Sequence, residues 1–342
     1  MARRKGPPVA LCGAGMISGA HAMAARFLGL PVVAVASRTP ESATKRASEL
    51  RARVVRYDEM PAGAEIVVVS TPPPLHAEHA LAALTAGAAV LLEKPITTTL
   101  ADADRLVAAA EAHGQRLLYG ENLAYAPAVG VMLGRVRTLG ALTHLEVRAV
   151  NPRPTWGDFL TAEWGGGALF DLGVHPLAVA LLLAAPARPV AVEARLEGGH
   201  DHPTDEHAEV TVTFDTGLRG RVVASWRGGP VSVWDAQVAG PAGVVRAELL
   251  PNPIVEHDGR ELPLPVPTGD VPQIEQYGYA AQLRALVDDV ATGRRPLMDA
   301  EFGRLVLEVV CAAYTSAGNQ GANQPMPFNG PRDRTPLQLW RG

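Results

Sequence analysis

Apolar and polar positions run along the first third of the chain in two rhythms. Short apolar runs, "PVALC", "PVVAVAS", "AEIVVVS", "AAVLLE" and "QRLLYG", have the composition of strands buried on both faces. Between them lie stretches of helical period, "SGAHAMAARFLG", "PESATKRASEL", "HAEHALAALTAG" and "TLADADRLVAAAEAHG". Pro40 suits a first helical turn, and Thr99 with Asp102 makes a capping-box pattern. Strands alternating with helices predict a parallel sheet covered by helices.

From about Asn122 the rhythm changes. "THLEVRAV", "PVAVEARLEG", "AEVTVTFDTG", "LRGRVVASW" and "VSVWDAQVAG" alternate residue by residue and meet at glycine-containing turns, which predicts an antiparallel sheet. Helical patterns interrupt it at "PAVGVMLGRVRTLG", "GGALFDLGVHPLAVALLLAA", "YGYAAQLRALVDDVATG" and "DAEFGRLVLEVVCAAYTSAG". The proline-rich segments "LLPNPIVEHDGRELPLPVPTGD" and "NQPMPFNGPRDRTPLQLW" read as irregular surface chain. The fold class is therefore α/β: a doubly wound parallel sheet over residues 1–121, then an α+β domain with a large, mostly antiparallel sheet over residues 122–342.

Composition narrows the partners. A chain of 342 residues is long for one core, and no apolar run reaches the length that spans a bilayer. A net charge of -4 with interspersed signs offers no basic field for nucleic acid and no cationic helix for a membrane surface. The two cysteines, Cys12 and Cys311, lie far apart in apolar surroundings and read as buried thiols, which fits a reducing cytoplasm. "MARRKGPP" is not followed by an apolar signal core, so no export signal is expected.

The first turn carries the chemistry. In "VALCGAGMISGAH", Gly13 and Gly15 give a tight strand-to-helix turn that lets backbone approach a pyrophosphate, with Met16 and Ile17 opening the helix whose N-terminus attracts it. Ser18 stands where the Rossmann fingerprint has a third glycine, a position that needs only a small side chain. At the end of the second strand, Ser37 and Arg38 replace the acidic residue that would accept from a ribose 2'-hydroxyl. They suit the 2'-phosphate of NADP; if Arg38 only stacks on adenine or faces water, NAD remains usable.

"STPPPLHAEHALAALTAGAAVLLEKP", followed by "GGGALFDLGVH", resembles the Gfo/Idh/MocA oxidoreductases, a group built around glucose-fructose oxidoreductase and inositol dehydrogenase. The resemblance runs from the glycine turn to "AAYTSAG". It implies a Rossmann domain and a sheet domain, with substrate held between that sheet and the nicotinamide. It implies that Glu93, Lys94 and Pro95 are the family's EKP element, with Glu93 and Lys94 among the cofactor contacts, and that Asp171 and His175 belong to its DxGxH element. It also implies cofactor contacts in the "STPPPLH" loop at Thr71, Pro72 and His76, although His76 could equally cap the next helix. A homodimer or homotetramer through the open face of the second sheet is implied in the same way.

The residues support that chemistry independently. Oxidising an alcohol by hydride transfer needs a proton acceptor at the hydroxyl, and the reverse reaction needs a donor. Lys94 follows an apolar strand and so stands at the carboxyl end of the sheet, where open parallel sheets bind ligands; Pro95 is a candidate cis peptide. Asp171 and His175, four residues apart on one predicted helix, would share a face behind Gly165, Gly166 and Gly167. His175 is assigned as main acid/base, Lys94 as polariser of the substrate oxygen and alternate proton carrier, and Asp171 as orienter. Asn122, Tyr125, Trp156 and Trp164 are further candidates for substrate contact, the two tryptophans having buried packing as the alternative. "HDHPTDEH", with His200, His202, Asp205, Glu206 and His207, looks like a metal cluster but reads as a polar strand connection, and no metal is expected. Many family members carry an aspartate three residues after the histidine; here Ala178 stands there, preceded by Pro176, which removes one sugar-hydroxyl acceptor.

The expected activity is an NADP-preferring oxidoreductase acting on a CHOH or carbonyl group of a sugar, cyclitol or related polyol. Two other readings remain at this stage: a glycoside hydrolase or lyase that oxidises its substrate transiently with tightly held NAD, and a catalytically silent sensor that binds the cofactor.

Overall fold

The uninterrupted apolar runs become neighbouring strands of one parallel sheet in the computed structural model, which describes residues 6–342. Residues 1–5 of the stretch that carries no expected export signal lie outside the described residues. Strands β1 (Val9–Cys12), β2 (Val32–Ala36), β3 (Arg53–Val54), β4 (Ile66–Val69), β5 (Ala89–Glu93) and β6 (Leu117–Gly120) stand in the order β3-β2-β1-β4-β5-β6. Every residue of β1, β4, β5 and β6 is buried, as double coverage by helices requires. Helices α1 (Met16–Phe27), α2 (Pro40–Leu50), α3 (His76–Thr85) and α4 (Leu100–Ala112) lie between these strands in the chain. Strand order reverses between β1 and β4, the switch point where open sheets of this kind bind ligands at their carboxyl ends.

The alternating runs form a second sheet. Its strands are β7 (His144–Val150), β8 (Pro189–Gly198), β9 (Asp205–Phe214), β10 (Arg219–Ser225), β11 (Val233–Gly240), β12 (Gly243–Leu250), β13 (Ile254–His257), β14 (Arg260–Leu262) and β15 (Gln324–Pro325). They stand in the order β14-β13-β12-β11-β7-β10-β9-β8-β15, antiparallel except where β10 runs beside β7. Leu145, Val147 and Ala149 of β7 and Ala208, Val210 and Val212 of β9 are buried, and helices α5 (Pro127–Val136), α6 (Ala168–Asp171) and α7 (Val174–Ala184) pack on the sheet. The intervening positions carry charge: Arg148 pairs with Asp235 at 2.7 Å, and Arg221 with Glu146 at 3.1 Å and Glu209 at 2.9 Å.

Three expectations are corrected. Residues 249–270 are not all irregular, because β13 and β14 form a hairpin. Its two-residue turn is Asp258-Gly259, with φ of 51° and 75°, the Asp-Gly signature of a tight hairpin. Residues 323–340 likewise hold β15 and most of helix α11 (Pro336–Arg341), which Thr335 and Gln338 cap reciprocally. The stretch 166–185 is two helices, α6 and α7, rather than one.

Helices α8 (Pro272–Gln276), α9 (Tyr279–Thr292) and α10 (Ala300–Gly318) follow the second sheet's main run in sequence. Yet Ile274, Ala280, Leu283 and Leu286 share one core with Val9, Leu11, Val35, Val68 and Leu91. One compact unit accordingly comprises the chain up to Thr97, Ala101–Tyr125 and Pro267–Arg304, and the other Thr98–Leu100, Ala126–Val266 and Leu305–Gly342. A single boundary between residues 121 and 122 would have given Pro267–Arg304 to the second unit.

Candidate functional site

In the first unit the carboxyl ends of the strands align one row of residues. Ala36, Cys12, Val69 and Leu92 are side by side in register, so Ser37, Gly13, Ser70 and Glu93 follow as the next row, with Lys94 and Thr71 one position further. Gly13 has φ of 117°, and a Cβ on it would stand 2.5 Å from the Ser70 carbonyl oxygen, so only glycine fits. A Cβ on Gly15 would meet nothing within 4 Å, and the first turn of α1 has no side-chain cap. Met16 is 69% exposed and Ile17 half-buried at that open helix start. Open space in front of unclaimed amides fits a dinucleotide pyrophosphate. Ser18 is buried, and its hydroxyl donates to the Gly15 carbonyl at 2.6 Å, which tightens the turn where a third glycine would stand.

Arg38 is exposed just past β2, and Ser37 is half-buried beside it. The Tyr57 hydroxyl faces the Ser37 side chain and the Arg38 backbone, and burial is the main cause of its raised pKa. Tyr57 stacks on His79 at 4.4 Å, and His79 Nδ1 lies 3.2 Å from Thr71 Oγ1. Tyr57 and His79 thus join the residues expected to hold the nucleotide. Neither was singled out in the sequence, because their grouping depends on a stack between the turn after β3 and α3.

Two expected cofactor residues point into the protein instead. His76 is buried, with Nδ1 2.8 Å from the Pro95 carbonyl oxygen and Nε2 2.8 Å from that of Thr71, so neither nitrogen is left for a cofactor. It is also the first residue of α3 rather than its cap. Glu93 is buried, with Oε1 2.7 Å from His21 Nε2 and Oε2 accepting from the Lys94 amide at 3.1 Å. Burial pushes the Glu93 carboxyl up, but the His21 hydrogen bond and charge, together with Lys94, outweigh it and hold the group below the usual carboxylate range. The Tyr279 and His21 rings meet at right angles with centroids 5.7 Å apart. Glu93 therefore ties the lysine-bearing strand end to α1. Lys94 is half-buried, and its bond to Pro95 is cis, as the sequence suggested. Pro72 is half-buried in the same loop system. Asn122 donates to the Tyr277 carbonyl at 2.7 Å, and Tyr125 packs against the core of this unit, where burial pushes its hydroxyl pKa up.

In the second unit Asp171 ends α6 and His175 lies in the first turn of α7, both buried. Leu172 and Gly173 keep right-handed dihedrals, but the Gly173 amide bonds back five residues to Ala168 at 2.9 Å, a locally widened turn. A Cβ on Gly173 would stand 2.6 Å from the Leu169 carbonyl oxygen, so the widened turn needs glycine. The shared helix face expected for this pair is thus a junction between two helices. The His175 ring packs on Trp234 with centroids 4.9 Å apart, and Trp234 Nε1 donates to Asn151 Oδ1 at 2.7 Å. Sequence reasoning missed Trp234 and Asn151; the available signal was that Trp234 shares strand parity with the buried Ala236 and Val238. Ala178, at the place of the family's further aspartate, is fully buried.

Phe159 stands edge-on to both Trp156 and Trp164, at 5.5 and 4.5 Å. Trp164 is half-buried in this packing, whereas Trp156 is 45% exposed. In the "HDHPTDEH" segment, ligand atoms of Asp201, His202 and Glu206 come within 4.8 Å of one another. Arg153 pairs with Asp201 at 2.9 Å and approaches Glu206 at 3.8 Å, and Arg227 approaches Glu206 at 3.7 Å. Two guanidinium groups thus already balance the two carboxylates.

The model of the oxidoreductase family with an NAD-binding Rossmann fold matches residues 8–121, and that of the GFO/IDH/MocA C-terminal domain matches residues 135–246. A protein of Amycolatopsis mediterranei described as a UDP-kanosamine synthase oxidoreductase subunit is 29% identical over 77% of this chain and 81% of its own length. The dTDP-3,4-didehydro-2,6-dideoxy-alpha-D-glucose 3-reductase of Saccharopolyspora spinosa is 38% identical over 42% of this chain and 46% of its own. The crystal structure of GenD2 from gentamicin A biosynthesis, in complex with NAD, matches with a TM-score of 0.84 at 27% identity, covering 95% of this chain and 98% of GenD2. Among the described residues no helix is long and apolar enough to cross a membrane.

Proposed function

The chain belongs to the Gfo/Idh/MocA oxidoreductases, and from that premise we propose that it moves a hydride between NADP and a CHOH or carbonyl group of a sugar, cyclitol or related polyol. The observation that carries this reading is the row of strand ends that puts Ser37, the Gly13 turn, Thr71 and Lys94 along one edge of one sheet. The sugar-directed names of the Amycolatopsis and Saccharopolyspora relatives support ring hydroxyls and ketones as the first substrates to test. NADP is favoured because Ser37 and Arg38 supply a hydroxyl and a positive charge where NAD selection uses a carboxylate.

When bound, the nicotinamide supplies the hydride acceptor or donor. In oxidation a ring nitrogen of His175 takes the hydroxyl proton as the carbon loses its hydride; in reduction it returns that proton to the new alkoxide oxygen. Lys94 Nζ hydrogen-bonds a substrate oxygen and stabilises the charge that develops on it. Asp171 orients the substrate and the imidazole. The sum is CHOH plus NADP+ giving C=O, NADPH and a proton.

The test is reduced-nicotinamide absorbance with NADP or NAD and a panel of nucleotide-linked sugars, free sugars and cyclitols. Turnover is expected to be faster with NADP, and Lys94→Ala and His175→Ala are each expected to lose about 10²–10⁴-fold. Full activity in both variants would remove their assigned roles, and a preference for NAD would remove the cofactor assignment. We infer further that copies associate as a homodimer or homotetramer through the charged face of the second sheet. The two free, buried thiols, Cys12 and Cys311, support a reducing cytoplasmic setting.

A further inference from the structure

Asp205, the first residue of β9, is a fully buried carboxylate that the proposed reaction does not use. Burying such a group is expensive unless hydrogen bonds compensate. Its Oδ2 accepts from the Leu169 amide at 2.8 Å, and its Oδ1 accepts from the Gly167 amide at 3.1 Å and from the Tyr314 hydroxyl. The Tyr314 hydroxyl, fully buried on α10, also accepts from the Gly167 amide at 3.0 Å. These are start-of-helix amides of α6, which is four residues long and has no side-chain cap of its own at Gly167. A helix that short does not hold its shape through its own hydrogen bonds.

The clamp reaches the functional pair in one step. The Gly167 carbonyl accepts the Asp171 amide at 2.9 Å, so the residue gripped by Asp205 and Tyr314 also sets the position of Asp171. A Cβ on Gly167 would stand 2.3 Å from the Asp205 carbonyl oxygen, so glycine is what lets β9 come this close. From α11, the Leu337 amide donates to the Gly165 carbonyl at 2.8 Å and fixes the start of the same loop.

We propose that Asp205 and Tyr314 are positioning residues that hold α6 and, through the Gly167 carbonyl, fix where Asp171 stands. The inference rests on the role assigned to Asp171 above. It differs from a simple contribution to stability, because its effect must pass through Asp171.

Tyr314→Phe is the mildest probe, since it removes one oxygen and keeps the ring. We expect a melting temperature within a few degrees of wild type, an unchanged KM for NADP, and kcat lowered about tenfold. In an Asp171→Ala background the same substitution should lower kcat no further. Independently of turnover, amide exchange at residues 167–175 should speed up at least tenfold while the strands of the first sheet keep their protection. An undiminished kcat loss in the Asp171→Ala background overturns the proposal, as does unchanged amide exchange. Should Tyr314→Phe fail to fold, Asp205→Asn, which keeps the side-chain shape, takes its place in the same measurements. If wild type turns over no substrate the proposed function falls, and the exchange readout still decides the clamp.

Discussion

Both ring nitrogens of His76 face backbone carbonyls, yet a neutral imidazole has only one N–H to give. The protonated ring would satisfy both. Burial opposes it and is the largest influence, lowering the pKa below that of an exposed histidine despite the carbonyls of Pro95 and Thr71 and the charge of Glu93. The unfolded chain therefore binds the proton at higher pH than the folded one, so stability is fully present above about pH 6.5 and declines as pH falls from there towards the depressed folded value. His79, also lowered chiefly by burial, adds to the same slope. Urea midpoints measured between pH 5 and 8 should fall on the acid side, and His76→Gln should flatten the curve by up to about 1.4 kcal/mol per pH unit. An unchanged slope would mean that His76 does not titrate in this window. The sequence marked His76 and Glu93 through the "STPPPLH" and EKP motifs, but their partners are set by folding. The same holds for Asp205 and Tyr314, which meet across 109 positions of chain. Lys94, Asp171 and His175 were singled out because short motifs carry them.

Gly13 and Gly15 separate two uses of one residue type. At Gly13 an added methyl would strike the Ser70 backbone from a backbone conformation of positive φ; at Gly15, with φ of -70°, it would enter open space. Gly13→Ala should therefore destabilise the fold by roughly 2–5 kcal/mol. Gly15→Ala should keep the melting temperature and weaken nicotinamide dinucleotide binding at least tenfold, read by protein fluorescence. If Gly15→Ala bound the cofactor normally, the pyrophosphate would not approach there. Elements with a long, clean period were readable in advance, α2 and β8 to the residue. β3 was not, because it is two exposed residues, and β15 was not, because it contains a proline. The break between α6 and α7 escaped notice because apolar residues continue through it while Gly173 rearranges the hydrogen bonding.

At the scale of the molecule, the second sheet's charged face needs a reason beyond stability, since exposed ion pairs contribute only about 0–1 kcal/mol each. The period of α9 identified it as a helix but not which sheet it covers, and so its return to the first unit was illegible; the apolar–polar alternation on β7, β9, β10 and β11 was visible from the start. Arg221 bridges Glu146 and Glu209 on its two neighbouring strands, and Arg148 pairs with Asp235. Both signs are present on this face, so a second copy turned against it can meet opposite charges without an apolar patch. Such an interface weakens with salt, because the screening length falls to about 3 Å at 1 M. Light scattering in dilute buffer should give two or four times the 36.0 kDa of one chain, and a smaller species in 1 M NaCl. Arg221→Glu would gather three acidic groups at one point of the face and should shift the protein to the single-chain mass with its circular dichroism unchanged. A wild-type mass of one chain at low salt would rule out this association, and a salt-resistant dimer would place the contact on another surface.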